Sequence, residues 1–85
     1  MLLAKVYVTP KKAILDPQGK AVAASLHALD YTEVSDVRMG KYLEIRLHGL
    51  ASDQARQRVE EMCQRLLANQ IIEDFRFELV EQSER

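Results

Sequence analysis

Cysteine is nearly absent from the 85-residue chain: Cys63 stands alone, so no intramolecular disulfide can staple the fold. Neither sign of charge is in excess, since 12 Lys and Arg face 13 Asp and Glu for a formal net charge of -1. Nonspecific nucleic-acid binding draws its affinity from clustered cations that release counterions from phosphates, and this balance argues against it. No apolar run approaches the ~20 residues of a membrane-spanning helix. The start, "MLLAKVYVTP", carries no cleavage-site pattern of an export signal. The expected location is the cytoplasm, with no membrane partner. His27, His48 and Cys63 are far apart, without Cys-x-x-Cys or His-x-x-x-His spacing, and no metal centre is expected.

A chain this short is expected to form one domain over residues 1–85. Small domains bury a modest share of their surface and often need a disulfide, a metal or a second copy of themselves. With the first two excluded, self-association is the expected supplement.

What is present is periodic. Leu2, Ala4, Val6 and Val8 alternate with Leu3, Lys5, Tyr7 and Thr9, the period of two that marks a strand, and Pro10 ends it. In "LDPQGKAVAASLHAL", Asp16 suits an N-cap and Pro17 the first helical position, and Val22, Leu26 and Leu29 form an apolar stripe. The stretch Val34 to Gly49 holds one or two strands, with Leu43, Ile45 and Leu47 facing one way and Gly40 marking a turn or bulge. From Ser52, a candidate N-cap, the period becomes helical: Ala55, Val59, Met62, Cys63, Leu66 and Leu67 share a face, and Asn69 is the candidate stop. "DFRFELV" is the last strand and "EQSER" a polar tail. The order predicts an α+β fold, a small two-layer βαββαβ arrangement of the ferredoxin-like kind, with helices on one face of an antiparallel sheet.

Candidate chemistry is sparse. "ILDPQGKAV" invites a phosphate-loop reading, but one glycine precedes Lys20 and Ala21 stands where Ser or Thr would bind the metal. A helix start is the better reading. Cys63 falls on an apolar helix face, where a buried thiol is inert, because reactive cysteines need a partly exposed electropositive setting. His27 and His48 read as structural or solvated. Neither Glu60-Glu61 nor Glu73-Asp74 resembles an acid/base pair, since adjacent helical residues do not face each other and "IIED" reads as a loop before a strand. RNA-recognition domains share the element order, yet "GKYLEIRL" offers Tyr42 alone, with Glu44 on the same face. No self-contained active site emerges, and the function is expected to lie in contact with something else.

Three stretches, "LDPQG", "VSDVRMGKY" and "LLANQIIEDFR", carry a resemblance. From about Lys5 to Leu79 the chain resembles the PurS subunit family of phosphoribosylformylglycinamidine synthase, also called formylglycinamide ribonucleotide amidotransferase. The resemblance implies a small, non-catalytic subunit of an ATP-dependent, glutamine-using carbon–nitrogen ligase of de novo purine synthesis. It implies two protein partners, a glutaminase subunit that releases ammonia and a large synthetase subunit that uses it, besides a dimer or tetramer of the chain itself with its sheet extended between protomers. ATP and magnesium are implied for the complex and no cofactor for this subunit. Asp16, Gln18, Gly19, Arg38, Lys41 and Tyr42, polar or glycine positions within the family-like stretches, become the expected subunit-contact residues. An ACT-type metabolite-binding domain shares the element order and is the alternative; an acylphosphatase is disfavoured, because its glycine-flanked phosphate loop with arginine is missing.

Overall fold

The computed structural model describes residues 1–82; of the expected polar tail, residues 83–85 lie outside them. Alternating β-branched and apolar residues form β1 (Leu2–Pro10), which pairs antiparallel with β2 (Lys41–Leu47) on one side and β3 (Glu73–Glu81) on the other. The helices are α1 (Pro17–Ala28) and α2 (Ser52–Met62). The sheet order is β2-β1-β3.

Register explains the core. Leu2, Ala4, Val6 and Val8 stand opposite Leu47, Ile45, Leu43 and Lys41 in β2 and opposite Glu81, Leu79, Phe77 and Phe75 in β3. The same face receives Ala55, Val59 and Cys63 from the second helix region, all fully buried. Burying a valine-sized side chain contributes about 1.5–3 kcal/mol. The other face carries Lys5, Tyr7, Tyr42, Glu44, Arg76 and Glu78, the hydrophobic-in, polar-out alternation of a half-solvated antiparallel sheet.

The α+β order fits the expectation, with differences inside it. Of the one or two strands expected between Val34 and Gly49, β2 forms, and residues 34–40 join no strand pairing among the described residues. Gly40 is not a hairpin turn. It lies where the returning backbone meets β1, and a Cβ there would overlap the carbonyl oxygen of Val8. The N-cap of α2 is Ala51 rather than Ser52, with the Gln54 side chain accepting from the Ala51 amide at 3.2 Å. β3 begins at Glu73, so Glu73-Asp74 opens the strand instead of preceding it.

Two differences concern packing. After α2 the helix widens over Cys63–Leu67, with the Ala68 amide donating five residues back to the Cys63 carbonyl at 3.0 Å. The widened turn rotates Leu66 off the α-helical stripe, and it is 81% exposed rather than in the core. The second difference is larger. Only Gly19 of α1 is buried, and Leu29 of its expected stripe is 67% exposed. Among the described residues, α2 rather than α1 lays a face on the sheet.

The dimensions show where α1 lies instead. A compact chain of this length has a radius of gyration near 12 Å; this one has 16.5 Å, with a longest dimension of 49 Å. The nine-residue β1 spans about 30 Å and the twelve-residue α1 about 18 Å. No extensive contact joins α1 to a strand among the described residues. Residues 11–40 therefore form an arm that leaves the sheet at Pro10 and returns at Lys41.

Candidate functional site

The base of the arm is a polar knot. Asp16 caps α1 as its sequence context predicts, its Oδ1 accepting from the Gly19 amide at 3.0 Å. Its Oδ2 accepts from the Met39 amide at 2.7 Å, joining the outgoing chain to the returning one. The Arg38 guanidinium donates to the carbonyls of Lys11 at 2.6 Å, Pro10 at 3.3 Å, Lys12 at 3.4 Å and Ile14 at 3.5 Å, and its Nε is 4.0 Å from Asp16 Oδ2. A planar fork of five donors suits such convergent carbonyls better than a lysine would. Gly19 is buried here because a Cβ would overlap the Val37 carbonyl oxygen and crowd the Asp16 carboxylate. The Met39 amide, then the Gly19 amide and, more weakly, the Arg38 charge hold the Asp16 carboxyl below the usual carboxylate range, against an opposing desolvation.

This geometry answers the phosphate-loop question. The Gly19 amide is occupied by Asp16, and Lys20 is exposed on the helix. What looks like a cradle is a capped helix tied to its return strand.

The other expected site residues divide. Lys41 Nζ donates to the Leu67 carbonyl at 3.0 Å and lies 3.8 Å from Glu73 Oε1, tying β2 to the end of the widened helix. Tyr42 is on the polar face of the sheet: its hydroxyl donates to Glu44 at 2.8 Å, and its ring centroid is 5.1 Å from that of Tyr7. The Arg76 guanidinium sits 4.1 Å over the Tyr7 ring. Gln18 is exposed on the first turn of α1. The structure thus gathers Asp16, Gly19 and Arg38 into one cluster and leaves Gln18, Lys41 and Tyr42 apart from it.

None of these groups is prepared for bond-making. Donation to Glu44 pushes the Tyr42 phenol up to about 12, so it stays neutral, and burial pushes the Cys63 thiol up. His27 bridges to the Val34 carbonyl at 2.7 Å, a structural role. Among the described residues, no group of three or more His, Cys, Asp or Glu could hold a metal ion, and no helix is long and apolar enough to cross a membrane.

Contact surface is what the molecule offers. Leu15, Leu29, Tyr31, Leu66 and Ile71 are exposed. An apolar groove runs between β2 and the flank of α2, lined by Ile45, Met62, Leu66 and Leu67 with Arg58, Glu61 and Arg65 at its rim. Sequence reasoning set Leu29, Ile45, Met62, Leu66 and Leu67 on apolar faces of their elements and gave Leu15, Tyr31 and Ile71 no place as exposed surface.

Comparison with known proteins agrees with a contact role. Residues 3–81 match the family model described as PurS, phosphoribosylformylglycinamidine (FGAM) synthase. The phosphoribosylformylglycinamidine synthase subunit PurS of Bacillus subtilis is 49% identical over 81 residues, which cover 95% of each chain. The PurS of Methanocaldococcus jannaschii, described as one of the subunits of formylglycinamide ribonucleotide amidotransferase in the purine biosynthetic pathway, superposes with a TM-score of 0.85. It is 30% identical, over 98% of this chain and all of that one. A chain of the PurLQS structure from Thermotoga maritima shares the fold, with a TM-score of 0.82 at 21% identity over 94% of this chain and 99% of that one.

Proposed function

The chain belongs to the PurS family of phosphoribosylformylglycinamidine synthase subunits, and from that premise we propose that it joins a glutaminase subunit to a large synthetase subunit of that enzyme. It is a non-catalytic part of a ligase complex in purine biosynthesis. The observation that carries this is the 49% identity over 95% of both chains to a subunit of that enzyme. An ACT-type regulatory role is not favoured, because the family match spans the whole sheet and both helices.

The physical task is to fix two larger proteins relative to each other, so that ammonia released at one site reaches the other before it is protonated or lost. ATP and magnesium act in the synthetase subunit, and this chain supplies surface. It works in the cytoplasm and as an assembly of at least two copies, which its open shape supports. Gln18 and Tyr42 offer their side chains to subunit contacts. Asp16, Gly19, Arg38 and Lys41 act indirectly by holding the backbone that presents them.

Reconstitution tests this. With the synthetase and glutaminase subunits present, glutamine-dependent formation of formylglycinamidine ribonucleotide is expected to require this chain, whereas ammonia-dependent formation proceeds without it. Glutamine-dependent activity unchanged by omitting the chain would overturn the proposal.

A further inference from the structure

On the face of the sheet turned away from α2, the two signs of charge are treated unequally. Register sets Glu44, Lys5 and Glu78 in one row across β2, β1 and β3, and Tyr42, Tyr7 and Arg76 in the next. The carboxylates are occupied by the chain itself: Glu44 accepts from Tyr42 at 2.8 Å and Glu78 from Tyr7 at 3.3 Å. Asp74, at the end of the same face, holds Lys11 at 2.7 Å. The cations are not. Among the described residues, Lys5, Arg76 and the neighbouring Arg46 have no ion-pair partner. What this face has left to offer is positive charge.

Arg76 is the best prepared of the three. Its guanidinium is exposed and lies 4.1 Å over the Tyr7 ring, and Tyr7 packs in turn on Tyr42, which is half exposed. Stacking on an aromatic face fixes the plane of the fork and leaves the N–H donors at its edge free. A fork held this way takes a carboxylate through two parallel hydrogen bonds. Tyrosine and arginine are also the residues that concentrate binding energy at protein interfaces, because they bring large contact area with little freedom to lose.

We infer that this face docks an acidic patch of the glutaminase subunit, with one partner carboxylate seated on Arg76 and the patch extending over Lys5 and Arg46. The inference rests on the bridging role proposed above and says which side of the sheet serves which partner. Its size and polarity select the glutaminase. The plate is about 24 Å along the seven residues of β2 and roughly 14 Å across three strands. That is the scale of a small, reversible contact, whereas permanent ones are larger and more apolar. A glutaminase that stayed engaged while the synthetase was empty would hydrolyse glutamine with no acceptor for the ammonia, so its contact gains from being reversible. Unpaired cations suit such a contact, since they steer a partner of opposite charge and hold it with a strength that salt can tune.

Titrating the glutaminase subunit into fixed amounts of the synthetase subunit and this chain tests the inference, read as glutamine-dependent formation of formylglycinamidine ribonucleotide. Arg76→Glu is expected to raise the glutaminase concentration at half-maximal activity about tenfold or more. Arg76→Lys, which keeps the charge and loses the fork, is expected to raise it by less. With the unaltered chain the same concentration should rise with added salt. Capture of the purified synthetase by the tagged chain, ammonia-dependent activity and the Tm of the chain are expected to stay as they are. Should Arg76→Glu lower Tm, the second reversal, Arg46→Glu, decides, because Arg46 pairs with no carboxylate of its own chain among the described residues. Half-saturation unchanged by both reversals would overturn the inference. Weakened capture of the synthetase by either one would assign the face to that subunit and overturn it as well. Glutamine-dependent activity that needs no chain at all is a separate result, which removes the bridging role and this inference with it.

Discussion

In the sheet and the second helix region, the side chains of Ala4, Val6, Val8, Val59 and Cys63 have no exposed surface; in the arm, residues 11–40, the one buried residue is a glycine. The sheet is held by exclusion of water, which is strong per residue and indifferent to direction. The arm is held by hydrogen bonds from Arg38 to carbonyls and from two amides to Asp16, each modest where water competes for the same groups but strict in geometry. Burial decides how stable the chain is, and the polar knot decides where its arm points. A region with direction and little burial of its own is suited to contact with a partner.

The largest expected effect separates the two regions. Val59→Ala removes buried methyl groups from the core and is expected to lower unfolding free energy by about 2–3 kcal/mol. That corresponds to roughly 8–24 °C in Tm for a domain of this size. Measured where the chain is dispersed to monomers, amide exchange in the arm should not change, because it proceeds through local opening that leaves the sheet folded. An arm whose exchange accelerated in step with the sheet would show one cooperative unit and break the comparison.

Arg38→Ala is the converse and smaller change. It deprives several carbonyls at the arm base of a donor and releases the charge beside Asp16. Because water reaches this site, the expected loss is about 1 kcal/mol and confined to the arm. The Met39 and Gly19 amides should exchange several-fold faster while those of Val6 and Phe77 stay unchanged. A fall in Tm equal to that of Val59→Ala would mean that the arm base belongs to the core.

Legibility in the sequence followed the same division. Period-two alternation identified the inner sets of β1 and β2, and "LDPQG" identified the Asp16 cap, because each depends on neighbours in the chain. The stripe of Val22, Leu26 and Leu29 was equally visible, yet periodicity says which residues share a face and nothing of what covers it. Leu66 was misplaced because the widened turn at Cys63 changes the helical period, and local composition does not announce that change. Arg38 was chosen as an exposed contact residue, while its carbonyl partners lie 24 to 28 positions earlier and become apparent only when the arm closes. Gly19 and Gly40 likewise owe their roles to backbone oxygens distant in sequence, those of Val37 and Val8.

The smallest effect is a titration, and it tests whether the knot is electrostatic. The Met39 and Gly19 amides and the Arg38 charge favour the ionised Asp16 carboxyl, so its folded pKa lies below its unfolded one. Such a group stabilises the arm fully above the unfolded value, near 4 on average. The contribution fades as pH falls through the lower, folded value. Protection of the Gly19 and Met39 amides, corrected for intrinsic exchange, should therefore hold from pH 7 to about 5 and decline only below about 4. In Asp16→Asn the charge is gone and an amide nitrogen replaces one acceptor, so at least one of the two backbone donors loses its partner. This variant should show reduced protection already at neutral pH and no further acid step from this site. Protection lost by pH 5 in the unaltered chain, or an identical acid step in Asp16→Asn, would assign the arm's pH response to another carboxylate and leave Arg38 as the main determinant of its direction.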